Sequence, residues 1–196
     1  MKVARTYQMT ARAESAERTA AAILSATKEL FTTKAVADIT LADIAARAGV
    51  TAQTVLRRFG DKDSLFAAAI AHFTAEVDAR RGRVKPDDPD DIAAVLYAHY
   101  EDYGPMTIKL LAEELTTPAA RDAVSAGRRY HRSWCETVFA GTLARVSATE
   151  RDRRLAQLMA ICDLRTWEML RITANLSHEQ VELALREMLA PMVAKG

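Results

Sequence analysis

The sequence predicts an all-α protein with an amino-terminal three-helix helix-turn-helix head joined to a larger helical body. Three observations support this fold class. Two short, capped segments flank Gly49, apolar residues recur at helical spacing along most of the chain, and no alternating strand pattern follows residue 90. The composition, 49% hydrophobic and 27% charged, is typical of a soluble globular protein. We divide the 196 residues into an arm (1–17), a head (18–63) and a body (64–196).

The arm has no clear helical periodicity, and it carries Lys2, Arg5 and Arg12. We therefore predict a flexible segment over residues 1–17. Two interpretations stay open, a plain flexible terminus and a basic arm that enters a minor groove, as the arms of some helix-turn-helix proteins do.

The first short helix of the head begins after Thr40. Thr40 and Asp43 have the spacing of a capping box, in which each residue satisfies a backbone amide of the other. Apolar residues then recur through Ala48 on one face. Gly49 follows at the position where a left-handed residue ends a helix, and glycine adopts that conformation most easily.

The second short helix is capped by Thr51 and turns Val55 and Phe59 inward. Six residues remain for its outer surface: Ala52, Gln53, Thr54, Leu56, Arg57 and Arg58. Such a helix suits the major groove, because glutamine can pair with an adenine edge and arginine with guanine or phosphate. The alternative is an ordinary helical hairpin whose charges face water. A third helical face, from Ile23 to Phe31, favours the helix-turn-helix and a DNA-binding function.

Residues 19–66 resemble the DNA-binding domain of TetR-type transcriptional regulators. The resemblance is carried by Ile23 through Phe31, Ile39-Thr40-Leu41-Ala42-Asp43-Ile44-Ala45, Ala48-Gly49-Val50-Thr51, Thr54-Val55, Arg58-Phe59 and Lys62-Asp63-Ser64-Leu65. It implies a homodimeric repressor that binds an inverted-repeat DNA operator and is released by a small-molecule effector. It also implies that Thr40, Thr51 and Lys62 contact phosphates.

By the same resemblance, Gln53 and Thr54 face bases. Many family members have tyrosine where this chain has Leu56 and histidine where it has Arg58. Leucine cannot donate a hydrogen bond to a phosphate but can contact a thymine methyl group. The predicted DNA-binding residues are Thr40, Thr51, Ala52, Gln53, Thr54, Leu56, Arg57, Arg58 and Lys62.

The body is predicted to begin with a connecting helix that ends near Gly82. A loop follows, because Pro86 and Pro89 flank adjacent like charges. The basic residues from Arg80 to Lys85 suit the negative end of the helix dipole. The next helix is expected to stop at Gly104, and Pro105 to start another.

Further helices are expected after Thr117 and, with capping boxes, after Ser147 and Ser177. The helix after Ser147 is apolar nearly all round through Ile172, and the last helix has a single apolar stripe. Two interpretations of these helices stay open. They can form half of an intersubunit four-helix bundle, which the resemblance also implies, or they can belong to an intramolecular core. The predicted dimer-interface residues are Leu185, Met188, Leu189 and Met192.

An effector site is expected in the body, again from the resemblance. Aromatic and methionine side chains with a few polar tips are the usual lining of small-molecule sites, although they are also common in helical cores. We predict an apolar or aromatic effector. The candidate residues are Tyr97, Tyr100, Tyr103, Met106, His131, Trp134, Met159 and Trp167.

Other functional classes have little support in the sequence. The four histidines have no metal-ligand spacing, and no nucleophile motif or phosphate loop occurs, so we predict no catalytic residue, metal or cofactor. No apolar stretch is long enough for a membrane span or a secretory signal, and two cysteines suit a reducing cytoplasm. Two alternatives remain, a helical enzyme and a regulator that senses redox state through Cys135 and Cys162. Burial of both cysteines is expected to raise their pKa and reduce their reactivity.

Charge is unevenly distributed along the chain. Residues 1–63 carry ten Lys and Arg against seven Asp and Glu, a net charge of +3, whereas the remainder carries 17 against 19, a net charge of −2. The asymmetry is modest and supports an amino-terminal surface for DNA.

Overall fold

The computed structural model describes the backbone of residues 2–194 and the side chains of residues 13–194. No β-strand occurs among residues 2–194, and the predicted all-α class is confirmed. The chain forms two compact units, Met1–Thr74 and Ala75–Gly196. None of the helices in the described part of the chain is long and apolar enough to cross a membrane.

The first unit contains the predicted three-helix head. Its elements are α1 (Lys2–Thr33), a short 3-10 turn (Val36–Asp38), α2 (Leu41–Ala48), α3 (Ala52–Phe59) and the start of α4 (Lys62–Arg81). The core comes from all four helices, and Phe31 of α1 meets Phe66 of α4 edge to face at 6.2 Å. Ile23, Ile44, Val55 and Leu65 are completely buried. The boundary between the units lies within α4 rather than at 63/64, because its first three turns complete the head core.

The arm differs from the prediction, because α1 begins at Lys2 and the backbone of residues 2–17 is helical. Alanine is frequent in this stretch, and its high helix propensity sustains a helix without an apolar face. The side chains of Lys2, Arg5 and Arg12 lie outside the described residues, so a contact of the arm with DNA stays a prediction.

The second unit contains the end of α4 and the remaining helices. These are α5 (Pro89–Glu113), α6 (Pro118–Val138), α7 (Ala140–Ala144), α8 (Ala148–Ile161), α9 (Leu164–Glu168), a π-helical turn (Met169–Thr173) and α10 (His178–Val193). The Asp88 side chain caps α5, and Ser177 forms the predicted capping box with Gln180. At α8 the Ser147 hydroxyl bonds to the Glu150 carboxylate instead of a backbone amide.

The predicted stop at Gly104–Pro105 is wrong, because α5 continues through both residues to Glu113. Gly104 is buried and the Trp167 ring packs directly on it, so tertiary contacts hold the helix together across the proline. The apolar helix predicted to run through Ile172 is also interrupted, since α8 ends at Ile161. The Asp163 side chain accepts a hydrogen bond from the Arg165 amide and starts α9.

The body core corrects half of the dimer-interface prediction. Leu185 and Leu189 are fully buried inside the protomer, where they join the core formed with α5, α6 and α8. They are therefore not available to a partner. Met188 and Met192 are only partly buried at the edge of the same core.

Candidate DNA interface and effector site

The turn between α2 and α3 is built as the sequence indicates. Thr40 and Asp43 form a complete capping box at the start of α2. Gly49 ends this helix in the left-handed region at φ 68°, and the amide of Val50 bonds back to the carbonyl of Ala45 at 2.9 Å. Thr51 caps α3 by accepting a hydrogen bond from the Thr54 amide. These local bonds fix the direction in which α3 leaves the turn.

One face of α3 is free for a ligand. Val55 is buried, whereas Gln53, Leu56, Arg57 and Arg58 are exposed. Neither Gln53 nor the two arginines form a hydrogen bond or ion pair with any residue whose side chain the structure describes. Leu56 is 40% exposed, which is high for a leucine. The surface therefore combines an amide, an apolar side chain and two unpaired cations.

The threonine hydroxyls at the start of α3 are only partly used. The Thr51 and Thr54 oxygens lie 2.9 Å apart and share one hydrogen bond. Two hydroxyl groups have two protons, so one proton remains to be donated outward. Ala52 and Thr54 are half-buried beside Gln53. This pair can still donate to a phosphate or a base without losing its mutual bond.

Thr40 is less free than predicted. Its hydroxyl donates to the Asp43 carboxylate at 2.8 Å, and its amide donates to the same oxygen at 3.0 Å. A phosphate accepts hydrogen bonds but cannot donate them, so Thr40 would have to give up its hydroxyl bond to Asp43 to donate one to a phosphate. These hydrogen bonds from Thr40 also lower the pKa of Asp43 below its ordinary value.

Lys62 and Asp61 lie at the start of α4. The Lys62 ammonium donates to the carbonyl of Ala37 at 3.2 Å, which leaves two of its three protons for a phosphate. The Asp61 carboxylate accepts a bond from the Ser64 amide at 2.7 Å, and this bond lowers the pKa of Asp61. The negative cap opposes an anion at the helix end, so Lys62 is the remaining phosphate donor there.

Five of the eight predicted effector residues lie close together in the body. Tyr100, Trp134 and Trp167 are buried in its core, and the Tyr100 and Trp167 ring centroids are 6.0 Å apart. His131 stacks near Trp134, and its Nε2 atom lies 3.0 Å from the carbonyl of Met159. This group provides aromatic faces with a few polar atoms.

The other three predicted residues lie elsewhere along α5. Tyr97 stacks on His178 at 3.9 Å, and the Tyr103 hydroxyl donates to Glu76 at 2.6 Å. Met106 is half-buried further along. Each step of three residues turns an α-helix by about 300°, so side chains at this spacing drift around its surface. The eight residues therefore do not form one site.

An open cleft of about 480 Å³ lies on a different surface of the body and contains none of these eight residues. Its lining combines residues at the end of α8, around α9 and on α10: Ala160, Asp163, Arg165, Thr166, Met169, Leu170 and Met188. Met169 is 58% exposed, and nearby in the chain Ile172 is 59% exposed. Exposed apolar side chains beside a cleft are typical of a protein–protein contact.

A buried charged group that the sequence does not predict lies beside Tyr100 and Trp134. The basic end of α4 suggests a surface position for Arg81, but this residue is only 3% exposed. Its Nη2 atom donates to the Tyr100 hydroxyl at 3.1 Å, and the Trp134 indole donates to its carbonyl. The helical spacing could have predicted this burial. The buried residues Ala69, Phe73 and Arg81 follow one another along α4 at intervals of four and eight positions, which places all three on the same side of the helix.

The two cysteines also contact each other in the body, and both are buried and not joined by a disulfide. Hydrogen bonds from Cys162 and His131 lower the pKa of Cys135 to about 6, against the opposing effect of burial. Burial raises the pKa of Cys162 well above its ordinary value. The expected rise in pKa therefore holds for Cys162 and not for Cys135, and both side chains are completely buried. No cluster of metal-ligating side chains occurs among the described residues.

Comparison with known proteins shows what this chain is similar to. Residues 23–69 match the model of bacterial regulatory proteins of the tetR family. A transcriptional regulator from Rhodococcus sp. RHA1 is 22% identical and superposes with a TM-score of 0.65, over 91% of this chain and 95% of that one. GusR of Salmonella enterica is 16% identical with a TM-score of 0.68, over 89% and 95% of the two chains.

A third similar structure is NalD of Pseudomonas aeruginosa, described as the secondary repressor of the MexAB-OprM multidrug efflux pump. It is 23% identical with a TM-score of 0.59, over 91% of this chain and 95% of NalD. At these identities the structures establish a shared fold. A search of the curated proteins gave no significant match.

Proposed function

We propose that the chain is a transcriptional regulator of the TetR family, which its fold and its amino-terminal domain support. In this proposal it is a homodimeric repressor that a small molecule releases from its operator. The observation that carries the proposal is the exposed, unpaired face of α3, with Gln53, Arg57 and Arg58. The description of NalD as a repressor supports this direction of control. The function is regulation rather than catalysis, and the protein acts in the cytoplasm.

Each exposed residue of α3 has a distinct role in this proposal. Gln53 pairs with an adenine edge in the major groove, and Leu56 contacts a thymine methyl group. Arg57 and Arg58 bind phosphate or guanine, and the spare proton of the Thr51–Thr54 pair binds a phosphate. Thr40 acts through the capping box, which positions α2 beneath the phosphate backbone.

Replacement of Gln53 tests the base-reading role. Gln53→Ala should weaken binding to the cognate operator by about 1–3 kcal/mol and leave nonspecific binding nearly unchanged. Lys62→Ala is the comparison variant. Loss of one phosphate contact should weaken operator binding and nonspecific binding alike, and it should reduce the slope of log affinity against log salt concentration by about one. The measurement is fluorescence anisotropy on operator and scrambled DNA over a salt series. Equal loss on both DNAs in Gln53→Ala would contradict base reading.

A homodimer follows from the operator proposal, because a two-fold dimer binds an inverted repeat with half-sites about 34–36 Å apart or a multiple of that distance. The surface that we assign to it contains Met169 and Ile172 together with Met188. Their exposed apolar area is unusual for a surface that remains in water. This assignment replaces Leu185 and Leu189, which the protomer buries for itself.

Sedimentation velocity tests the dimer surface. Met169→Asp or Ile172→Asp should yield monomers with far weaker operator binding, because a charge in an apolar interface has no partner. Leu115→Asp is the matched control, since Leu115 is 87% exposed and lies far along the chain from this surface. Wild-type monomers at micromolar concentration, or dimers in all three variants, would contradict the assignment.

The effector site of this proposal is the group around Tyr100, Trp134 and Trp167. A ligand changes operator affinity only if it binds the two functional conformations with different affinities. The test measures operator affinity with and without a compound whose binding raises the melting temperature. Bound compounds that never change DNA affinity would contradict release by an effector.

Regulation by oxidation is a second candidate function, favoured by the low pKa of Cys135 and its contact with Cys162. The Cys135 thiolate would attack a peroxide oxygen, break the O–O bond and release hydroxide or alkoxide, which leaves a sulfenic acid. The Cys162 sulfur would then attack Cys135, and the released hydroxide would leave as water with the Cys162 proton. Peroxide should reduce operator affinity in the wild type and not in Cys135→Ser. A disulfide without any change in DNA affinity would exclude this candidate.

A further inference from the structure

Arg81 is a buried cation without a carboxylate partner. It is only 3% exposed, and no ion pair joins it to any residue with a described side chain. Burial of an unpaired charge is costly, so buried arginines are normally paired with an acidic group. Its neighbour Arg80 shows the ordinary arrangement, since it contacts the Asp102 carboxylate at 2.6 Å and is more exposed.

Aromatic rings surround the Arg81 guanidinium. Its central carbon lies 4.9 Å from the Trp134 centroid, 5.5 Å from Tyr100 and 5.9 Å from Tyr130. Cation–π contacts offset only part of the cost of burying such a charge. Tyr100 accepts one hydrogen bond from Nη2, and the Nε–H group is buried without a partner. The guanidinium therefore retains capacity for an anionic acceptor.

The nearby acidic groups do not fill this role. The Asp163 carboxylate caps α9 by accepting from the Arg165 amide, and Asp78 is an exposed residue three positions before Arg81. The Tyr100 hydroxyl is itself committed, because it donates to the carbonyl of Cys162 at 2.7 Å. Burial raises the pKa of Tyr100 to about 12, so this phenol stays neutral and offers no negative charge.

We propose that Arg81 binds the carboxylate of an aromatic organic acid, whose ring packs against Trp134 and Tyr130. This inference rests on the proposed effector function and specifies the chemical class of the effector. The planar guanidinium binds a carboxylate through two parallel hydrogen bonds, which makes both charge and geometry part of the recognition. Tyr130 is the half-buried member of the ring group, whereas Tyr100 and Trp134 are buried.

Matched pairs of acid and amide test the charge. The probes are 2-naphthoate and benzoate, each compared with its neutral carboxamide, on the full-length protein by calorimetry and melting shift. Wild type should bind each acid at least about tenfold more tightly than its amide, because the charge-assisted bidentate contact is lost in the amide. A wild-type protein without this preference, including one that binds neither member of a pair, overturns the proposal.

Two substitutions locate the contact. Arg81→Lys retains the buried charge and its cation–π contacts but loses the planar fork, so the preference for the acid should fall about fivefold or more. Arg80→Lys is the matched control and should behave as wild type. Arg81→Gln should lose the preference for the acid over the amide altogether, and circular dichroism checks that this variant folds. If it does not fold, the result for Arg81→Lys still tests the contact. An unchanged preference in Arg81→Lys overturns the assignment.

Operator binding separates this inference from the function on which it rests. An acid that binds through Arg81 without changing DNA affinity would contradict effector release and leave the anion site intact. A neutral compound that releases DNA equally from wild type and Arg81→Lys would support effector release and overturn the role of Arg81.

Discussion

The two units of the molecule use polar side chains in opposite ways. In the head, Gln53, Arg57 and Arg58 are exposed and have no partner among the described residues. In the body, Arg81 and Tyr100 are buried and contact each other. A surface group can change without affecting packing, whereas a buried group contributes to folding and to any ligand site at once. The same kind of substitution should therefore separate function from stability in the head and combine them in the body.

The largest effect is expected from a charge in the body core. Leu185→Asp should lower the free energy of unfolding by about 4 kcal/mol or more, because the position is 1% exposed and the carboxylate has no partner. Urea denaturation measures the change. Leu183→Asp is the matched control on the same helix; it is 41% exposed and should change stability by less than about 1 kcal/mol. Similar stability of the two variants would show that α10 packs through another face.

A smaller effect is expected where two body helices meet at a glycine. A Cβ atom at Gly104 would lie 2.6 Å from the Trp167 ring, so Gly104→Ala should destabilise the protein by about 1–3 kcal/mol through overpacking. Gly127→Ala is the control, since it lies in an open part of α6 and should stabilise the helix by about 0.5–1 kcal/mol. Opposite signs in thermal unfolding support the packing; a neutral Gly104→Ala would contradict it.

The same two units differ in how far their sequences predict them. The turn of the head is predictable residue by residue, because Thr40, Asp43, Gly49 and Thr51 act through bonds that span only a few positions. The predicted roles at the DNA remain proposals, and the structure adds that the Thr40 protons are already used.

In the body, periodicity indicates which faces are apolar but not what covers them. Leu185 and Met188 share one stripe, yet only the structure shows that the first is core and the second lies at the surface edge. The burial of Arg81 escapes prediction because it depends on rings more than 18 positions away in the sequence. The continuation of α5 through Pro105 also escapes prediction, because contacts such as that of Gly104 with Trp167 outweigh the local helix-breaking preference of proline.

The turn of the head provides a third, intermediate effect. A Cβ atom added at Gly49 would have no other atom within 4 Å, so sterics with neighbours do not matter there. Its φ of 68° nevertheless strains any residue with a Cβ atom, and Gly49→Ala should destabilise the protein by about 1 kcal/mol. Gly49→Asn should recover part of this loss, since asparagine tolerates the left-handed region. Equal loss in both variants, measured by denaturant unfolding, would argue against backbone strain.

The smallest effect on stability is expected at the exposed arginines of α3. Arg57→Ala and Arg58→Ala should each change the free energy of unfolding by less than about 0.5 kcal/mol, because neither side chain has a partner to lose among the described residues. Each should still reduce the salt slope of DNA binding by about one if it contacts a phosphate. Arg47→Ala is the matched control in the head: its guanidinium is paired with Glu29, so it should leave the salt slope unchanged. If Arg57→Ala and Arg58→Ala unfolded the head, the exposed face of α3 would not be independent of the fold. If neither variant changed the salt slope, this face would not be a DNA-binding surface.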